Sequence, residues 1–190
     1  MRSVPPLDRH ERRLVRDEVL RWHSRAWTVH AVSVMPDHVH VLATPLEASP
    51  GEWYALPEIM RRVKGSSARS INKLRGRQGS VWLVESYDRI IRSENDFAEK
   101  FRYIQGNAGV KGLTGLLDEY DGFWCEGMEA TPEAVKASSQ CPLRPRPLDR
   151  PPRDLPLGKR IHSDVVVKTR RRLPHWQVAG STYFIEFGLR

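Results

Sequence analysis

The feature that most constrains the fold is a pair of β-rich runs joined by a Pro-Asp turn. The first run covers residues 27–34, the turn lies at 36–37, and the second run, His-Val-His-Val-Leu-Ala, covers 38–43. Two such runs around a short turn are typical of an antiparallel hairpin. Because side chains alternate along a strand, His38 and His40 are expected on the same face. Two imidazoles on one face could supply part of the ligand set of a metal site.

Further along the chain, hydrophobic periodicity predicts three helices and two more strands. Asp8 is suited to cap the first helix. The helices are predicted over residues 8–23, 57–74 and 94–106, and the strands over residues 81–91 and 182–189. A hairpin combined with these elements predicts an α+β fold, a small antiparallel sheet with helices packed on it.

An excess of basic residues points to a polyanionic partner, most simply a nucleic acid. The 190 residues include 31 Lys and Arg against 23 Asp and Glu, and the sequence pI is about 9.9. Such a surface attracts polyanions. Cys125 and Cys141 stand apart without metal-site spacing, and no apolar run is long enough to span a membrane. We therefore expect a reduced, intracellular protein with no membrane partner.

A proline-rich segment separates the C-terminal strand from the rest of the chain. Residues 126–170 mix arginines and small polar residues with the prolines Pro142, Pro145, Pro147, Pro151, Pro152 and Pro156. This composition favours an extended basic linker over helix or sheet. We therefore divide the chain into a main domain at 1–125, a linker at 126–170 and a strand-bearing end at 171–190 that completes the sheet.

A second chemical feature lies on the third predicted helix, where Tyr103 and Asn107 are four residues apart. Residues at this spacing are neighbours on one helix face. If that helix packs over the His-bearing strand, His38, His40 and Asn107 could hold a divalent metal beside the Tyr103 phenol. A mixed nitrogen and oxygen donor set of this kind does not fix the identity of the ion.

An ordered set of motifs resembles a known family. The motifs are Met-Pro-Asp-His-Val-His-Val-Leu at 35–42, Val-Trp at 81–82, Tyr-Asp-Arg-Ile-Ile-Arg at 87–92, Tyr-Ile-Gln-Gly-Asn at 103–107 and Gly-Leu at 112–113. Through residues 27–113 the chain resembles the single-tyrosine HUH transposases, and specifically the REP-associated tyrosine transposases. One difference is Ala-Gly-Val at 108–110, where the family usually has Pro-Val.

This resemblance implies a ferredoxin-like, RRM-like sheet and a metal-dependent nuclease that cleaves and rejoins single-stranded, hairpin-forming DNA through a 5′-phosphotyrosine. It implies His38 and His40 as metal ligands, Asn107 as the third ligand and Tyr103 as the nucleophile. The expected cofactor is Mg²⁺ or Mn²⁺. The expected location is the bacterial cytoplasm, in association with the nucleoid.

The order of segments differs from the family. Its members usually open with a segment like residues 173–187, which this chain carries last. The chain therefore resembles a circular permutation in which the C-terminal strand is inserted centrally in the sheet. The alternative is that this strand completes a neighbouring molecule in a strand-swapped homodimer.

Basic residues of the second helix are our candidates for contacts with the DNA backbone. They are Arg61, Arg62, Lys64, Arg69 and Lys73. Arg89 is added from the strand motif, although its simplest role is a structural pair with Asp88. A solvated helix face is the plain alternative for the helical set.

Alternatives stay open for several residues and for the activity itself. Tyr87 and Tyr120 compete with Tyr103 as nucleophiles, and Asn107 could cap the C-terminal end of its helix. A catalytically silent hairpin-DNA-binding module of the same fold is the alternative function. An RRM-like RNA binder is less favoured, because such proteins place stacking aromatic residues where this chain has two histidines.

Overall fold

The structure is a computed structural model that describes residues 4–110, 120–127, 160–162, 167–169 and 175–190. These residues form three helices, α1 (Arg9–Leu20), α2 (Leu56–Leu74) and α3 (Glu94–Val110). The strands are β1 (Trp27–Val34), β2 (His38–Pro45), β3 (Glu47–Ser49), β4 (Glu52–Tyr54), β5 (Tyr87–Ile90), β6 (Phe123–Cys125), β7 (Arg160–His162), β8 (Val167–Thr169), β9 (His175–Gln177) and β10 (Tyr183–Gly188).

A five-stranded antiparallel sheet in the order β5-β10-β2-β1-β6 forms the centre of the fold. The C-terminal strand β10 lies in its interior, where Glu186 pairs with His40 of β2 on one side and with Tyr87 of β5 on the other. The predicted α+β fold is confirmed, and so is the predicted central position of the C-terminal strand.

The predicted hairpin of β1 and β2 is also confirmed. Ser33 pairs with His40 and Val34 with Val39, and the register shifts once, between Val29 and Ala31. One extra residue on β1 at this shift is a β-bulge, which increases the local twist of the strand. The hairpin therefore carries His40 beside both β1 and β10.

The face of the sheet that packs against α1 and α2 is apolar, and we call it the helix-pair face. Its strand residues Val39, Val41, Ile185 and Phe187 are at most 2% exposed and share one core with the two helices. Burying side chains of this size contributes about 1.5–3 kcal/mol each. This face supplies most of the stability of the domain.

Helix α1 begins where the sequence predicts. Asp8 accepts a hydrogen bond from the Glu11 backbone, and the Glu11 carboxylate accepts one from the Asp8 backbone, which completes a capping box. Glu11 also pairs with Arg75 at the end of α2, and hydrogen bonding to this carboxylate raises the pKa of Arg75. The two helices are thus fixed to each other at their ends.

The opposite face packs against α3, and we call it the α3 face. Its core contains Leu42 and Phe184 from the sheet, Ile104 from α3 and Phe123 from β6. His38, His40 and Glu186 follow the same alternation as Leu42 and Phe184, so they lie on this face as well.

Two predicted elements differ in extent. The strand predicted at 81–91 is regular only over Tyr87–Ile90, and before it Trp82 forms an isolated bridge with Leu189. The intervening loop is held instead by Lys64, whose ammonium bonds the Val84 carbonyl at 3.0 Å. Helix α3 continues to Val110, beyond the predicted end at Gly106. Gly106 faces open space, because a Cβ added there would meet no neighbouring atom.

Most of the predicted linker at 126–170 lies outside the described residues. The strands β7 and β8 lie within it. β7 pairs with β4, and β8 pairs with β9, which follows the linker. These short strands, and the β3–β4 hairpin, were not predicted from the sequence. No helix among the described residues is both long enough and apolar enough to cross a lipid bilayer.

Candidate active site

The two histidines of the His-x-His motif lie at the start of β2 on the α3 face. Their ring centroids are 4.6 Å apart, and the rings meet edge to face. His40 is 1% exposed, whereas a fifth of the His38 side chain reaches solvent. The predicted pairing of these imidazoles on one strand face is present in the structure.

A carboxylate lies against Nδ1 of each histidine. Oδ1 of Asp37 is 2.6 Å from Nδ1 of His38, and Oε2 of Glu186 is 3.4 Å from Nδ1 of His40. Asp37 is the chain neighbour of His38, whereas Glu186 comes from the C-terminal strand. Sequence reasoning did not single out Glu186, although a glutamate inside an apolar strand was a signal that could have found it.

Tyr103 projects from α3 beside the histidines. Its ring centroid is 5.2 Å from that of His40, and the residue is 48% exposed. Phe184 stacks on the His40 ring and meets the Tyr103 ring edge to face at 6.0 Å. The phenol is therefore held next to the imidazoles while it stays open to a ligand.

Lys100, one turn before Tyr103, adds a positive charge that sequence reasoning also missed. Its Nζ is 5.9 Å from the centroid of the Tyr103 ring and 5.7 Å from that of Phe184. It also lies 3.0 Å from Glu99 Oε1, so part of its charge is balanced. Its spacing from Tyr103 places it on the same side of α3.

Asn107 lies one turn after Tyr103, inside α3 rather than at its end, which removes the helix-cap alternative. Its Nδ2 atom is buried and has no hydrogen-bond partner among the residues that the structure describes. A buried amide without a partner is costly and calls for an explanation. Asn107 therefore lies on the same side of α3 as Tyr103, with one donor group buried.

The two competing tyrosines occupy different environments. Tyr87 is 51% exposed on β5, in the same cross-strand row as Glu186 and His40 but one strand further away. Tyr120 is buried and donates its hydroxyl hydrogen to the Val34 carbonyl, and burial raises its pKa. These surroundings make Tyr120 a structural residue and leave Tyr87 as the comparison for Tyr103.

The predicted DNA-binding residues of α2 lie across the sheet from the histidines. Arg61 and Arg62 both pair with Glu58, and hydrogen bonding and charge from Arg61 lower the pKa of that carboxyl. Lys64 bonds the loop before β5. Arg69 and Lys73 are exposed.

Arg89 lies on the α3 face, because it pairs across the sheet with Phe184. Its guanidinium is 2.9 Å from the Asp96 carboxylate of α3, so Asp96 is its ion-pair partner. The expected partner Asp88 pairs across the sheet with Ile185 and so follows the opposite face of the strand. The structure thus places one of the predicted DNA-binding residues on the same face as Tyr103, and the α2 set on the other.

Among the described residues, no group of three or more His, Cys, Asp and Glu side chains is arranged to hold a metal ion. The predicted donor set is of another kind, two imidazoles and the Asn107 amide. Imidazole suits ions such as Zn²⁺ and Ni²⁺, whereas an amide oxygen suits Mg²⁺ and Mn²⁺, so the mixed donor set does not fix the identity of the ion.

One family model matches the chain. It is described as "Transposase IS200 like" and covers residues 17–107, a stretch that includes His38, His40, Tyr103 and Asn107. It does not include the C-terminal strand. No curated protein and no solved structure matches the chain significantly. By this match, residues 17–107, which carry the site, belong to the IS200-like transposase family.

Proposed function

We propose that this transposase-family protein is a metal-dependent single-strand DNA endonuclease and strand transferase of the REP-associated type, acting on hairpin-forming DNA. The observation that carries the proposal is the position of the Tyr103 ring, 48% exposed and 5.2 Å from the His40 ring on the α3 face of the sheet. A half-exposed phenol beside two imidazoles fits covalent catalysis on a phosphodiester.

The donor set supports a divalent ion as cofactor. His38 and His40 would offer imidazole nitrogens and Asn107 its amide oxygen. A bound Mg²⁺ or Mn²⁺ would act as a Lewis acid on the scissile phosphate.

Tyr103 would be the nucleophile. Its Oη forms a bond to phosphorus as the bond from phosphorus to the 3′ oxygen breaks, so the phenol loses a proton and the 3′ oxygen gains one. The product is a 5′-phosphotyrosyl enzyme and a free 3′-OH. Attack by another 3′-OH reverses the step and joins strands without a nucleotide cofactor. The Lys100 ammonium, 5.9 Å from the centroid of the Tyr103 ring, would favour negative charge on the phenol.

The charged surfaces suggest a division of DNA contacts. Arg89 is paired with Asp96, but it is 46% exposed and shares the α3 face with Tyr103, so it would contact the strand that is cut. Arg69 and Lys73, exposed on α2 across the sheet, are candidates for the backbone of the hairpin stem. We give Arg61, Arg62 and Lys64 a smaller part in binding, because each already contacts protein groups.

We further propose that the chain is a circular permutation of the usual family order. The backbone N–H of Val4 donates to the carbonyl of Arg190 at 2.8 Å, so the two ends of the described chain meet. Adjacent termini are the condition under which permutation is tolerated. A strand-swapped homodimer would use the same pairing of β10 between two copies.

The test is cleavage of a labelled single-stranded hairpin oligonucleotide with Mn²⁺ or Mg²⁺, analysed on denaturing gels that also resolve protein. The parent should form a covalent protein–DNA band that needs the metal. Tyr103→Phe should abolish the band. Tyr87→Phe, which removes the hydroxyl of an equally exposed tyrosine on the same face, should still form it. If the parent binds the hairpin but never cleaves it, the silent DNA-binding module replaces this proposal.

A further inference from the structure

We infer that Glu186 is a positioning residue, which holds His40 with its Nδ1–H toward the carboxylate and thereby presents Nε2 to the divalent ion. The inference rests on the proposed function for the ion itself. Its structural basis is a contact between two segments that are far apart in the sequence, since His40 lies on β2 and Glu186 on β10.

The strand register creates the contact. Glu186 pairs directly with His40 across β10 and β2, and both side chains are on the α3 face. Oε2 of Glu186 is 3.4 Å from Nδ1 of His40. At this distance the two atoms approach closely but do not meet hydrogen-bond geometry. A rotation of the Glu186 side chain would bring its carboxylate into hydrogen-bond range of Nδ1. The carboxylate keeps water on its other side, because 45% of the Glu186 side chain is exposed.

Packing fixes the ring, and its Nδ1 partner then decides the tautomer. The His40 ring is buried against His38, Tyr103 and Phe184, at centroid distances of 4.6, 5.2 and 5.6 Å. In a fixed ring, the nitrogen that carries the proton is set by the hydrogen bond that one nitrogen makes. A carboxylate at Nδ1 selects Nδ1–H and leaves the Nε2 lone pair for a cation.

The neighbouring histidine has the same arrangement. Nδ1 of His38 faces Oδ1 of Asp37 at 2.6 Å. Metal-binding histidines almost always donate their second N–H to a carboxylate, a carbonyl or water. Each of the two adjacent imidazoles therefore has a carboxylate on its Nδ1 side, closer at His38 than at His40, and in this arrangement the Nε2 atoms would face the ion. The C-terminal strand supplies a chemical group to the site as well as closing the sheet.

The first arm of the test measures the His40 tautomer without metal or DNA. We would record ¹⁵N shifts of the histidine rings of the full chain at a pH about two units above the ordinary imidazole pKa of about 6.5. The parent should show His40 as the Nδ1–H tautomer. Glu186→Val, which suits a strand, should move it toward Nε2–H, and Glu186→Gln should restore Nδ1–H because its amide oxygen still accepts.

The second arm measures Mn²⁺ affinity by calorimetry, again without DNA. Loss of a carboxylate that orients a ligand typically weakens binding by about 10–100-fold, and we expect Glu186→Val to fall in that range, with Glu186→Gln nearer the parent. Glu126→Ala is the matched control, because Glu126 Oε2 lies 3.3 Å from Nδ1 of His30, a histidine outside the proposed site. It should leave Mn²⁺ affinity unchanged.

The outcomes separate this inference from the proposed function. An unchanged His40 tautomer in Glu186→Val overturns the positioning role, whether or not the protein cleaves DNA. A shifted tautomer with unchanged Mn²⁺ affinity overturns the link to the ion. If the parent binds no Mn²⁺, the metal-dependent activity fails, while the tautomer arm still decides what Glu186 does to His40. Far-UV circular dichroism checks that each variant keeps its strands.

Discussion

The two faces of the central sheet are built from the same strands but differ in composition: the helix-pair face is apolar, and the α3 face carries the candidate site. On β10, Ile185 and Phe187 point to the helix-pair face and are almost fully buried, whereas Phe184 and Glu186 point to the α3 face beside His40. On β2, Val39 and Val41 alternate with the two histidines in the same way. The helix-pair face is thus apolar along both strands, whereas the α3 face combines a smaller core with the polar groups of the candidate site.

The largest expected effect comes from removing the strand that both faces share. Deletion of residues 178–190 should abolish cooperative unfolding, because β10 pairs with both β2 and β5 and carries three side chains of the main core. Thermal denaturation followed by circular dichroism measures this. Moving residues 171–190 to precede Val4 should restore a cooperative transition. A truncated chain that melts like the parent would show that the sheet does not depend on β10.

Neighbouring positions on β10 should separate the two faces. Ile185→Ala should lower the free energy of unfolding by about 2–5 kcal/mol, because it leaves a cavity in the main core. Glu186→Val should change it by no more than about 0.5 kcal/mol, as is usual for exposed positions. Urea denaturation of both variants provides the comparison. Equal losses would mean that the α3 face contributes as much stability as the helix-pair face.

The basic surface of α2 should affect binding rather than chemistry. We expect Arg69→Ala combined with Lys73→Ala to weaken hairpin binding and to reduce the slope of log K against log salt by about 1 for each lost phosphate contact. The yield of covalent adduct at saturating DNA should stay unchanged. Fluorescence anisotropy over a salt series measures the slope. The comparison is Arg61→Ala, since Arg61 already pairs with Glu58, and its slope should change less than that of the double variant.

The smallest effect concerns the attachment of α1 to the segment before β6. Burial acts to raise the pKa of Asp121, but hydrogen bonds from Arg13 and Arg9 outweigh burial and hold the pKa below its ordinary value. These pairs therefore stabilise the fold above the unfolded pKa of about 4, and the contribution is lost as pH falls through the folded pKa.

Asp121→Asn should accordingly destabilise the protein by about 1 kcal/mol or less near neutral pH. It should also make the midpoint of urea unfolding less sensitive to acid. A variant with the same acid sensitivity as the parent would place the responsible carboxyl elsewhere, and Glu58, whose pKa is also lowered, is the next candidate.

The sequence was most informative where local rules and tertiary structure agree. The Asp8 cap, the hairpin and the helix that carries Tyr103 follow from turn chemistry, alternation and periodicity. Alternation alone placed His38 and His40 on one face. The central position of β10 followed from the resemblance and from the need of a lone strand for partners.

The sequence was less informative about contacts between distant segments. Alternation could show that Glu186 and Ile185 point to opposite faces of the sheet. Only the register of β10 against β2 shows that Glu186 lies beside His40. The basic stripe of α2 was visible as a pattern, whereas its position across the sheet from the histidines depends on which faces the helices cover. The loop before β5 departs from a strand because Lys64 bonds its carbonyls, a contact that no local propensity encodes.

The most direct test of the account identifies the residue that carries DNA after cleavage. The covalent adduct would be digested with nuclease and trypsin, and the peptides analysed by mass spectrometry for a residual nucleotide. Trypsin separates the two exposed tyrosines, since Tyr103 begins the peptide 103–111 and Tyr87 lies in the peptide 78–89. We predict that the residual nucleotide is attached to Tyr103. A nucleotide on Tyr87, or a cleaved hairpin with no modified peptide, would contradict it.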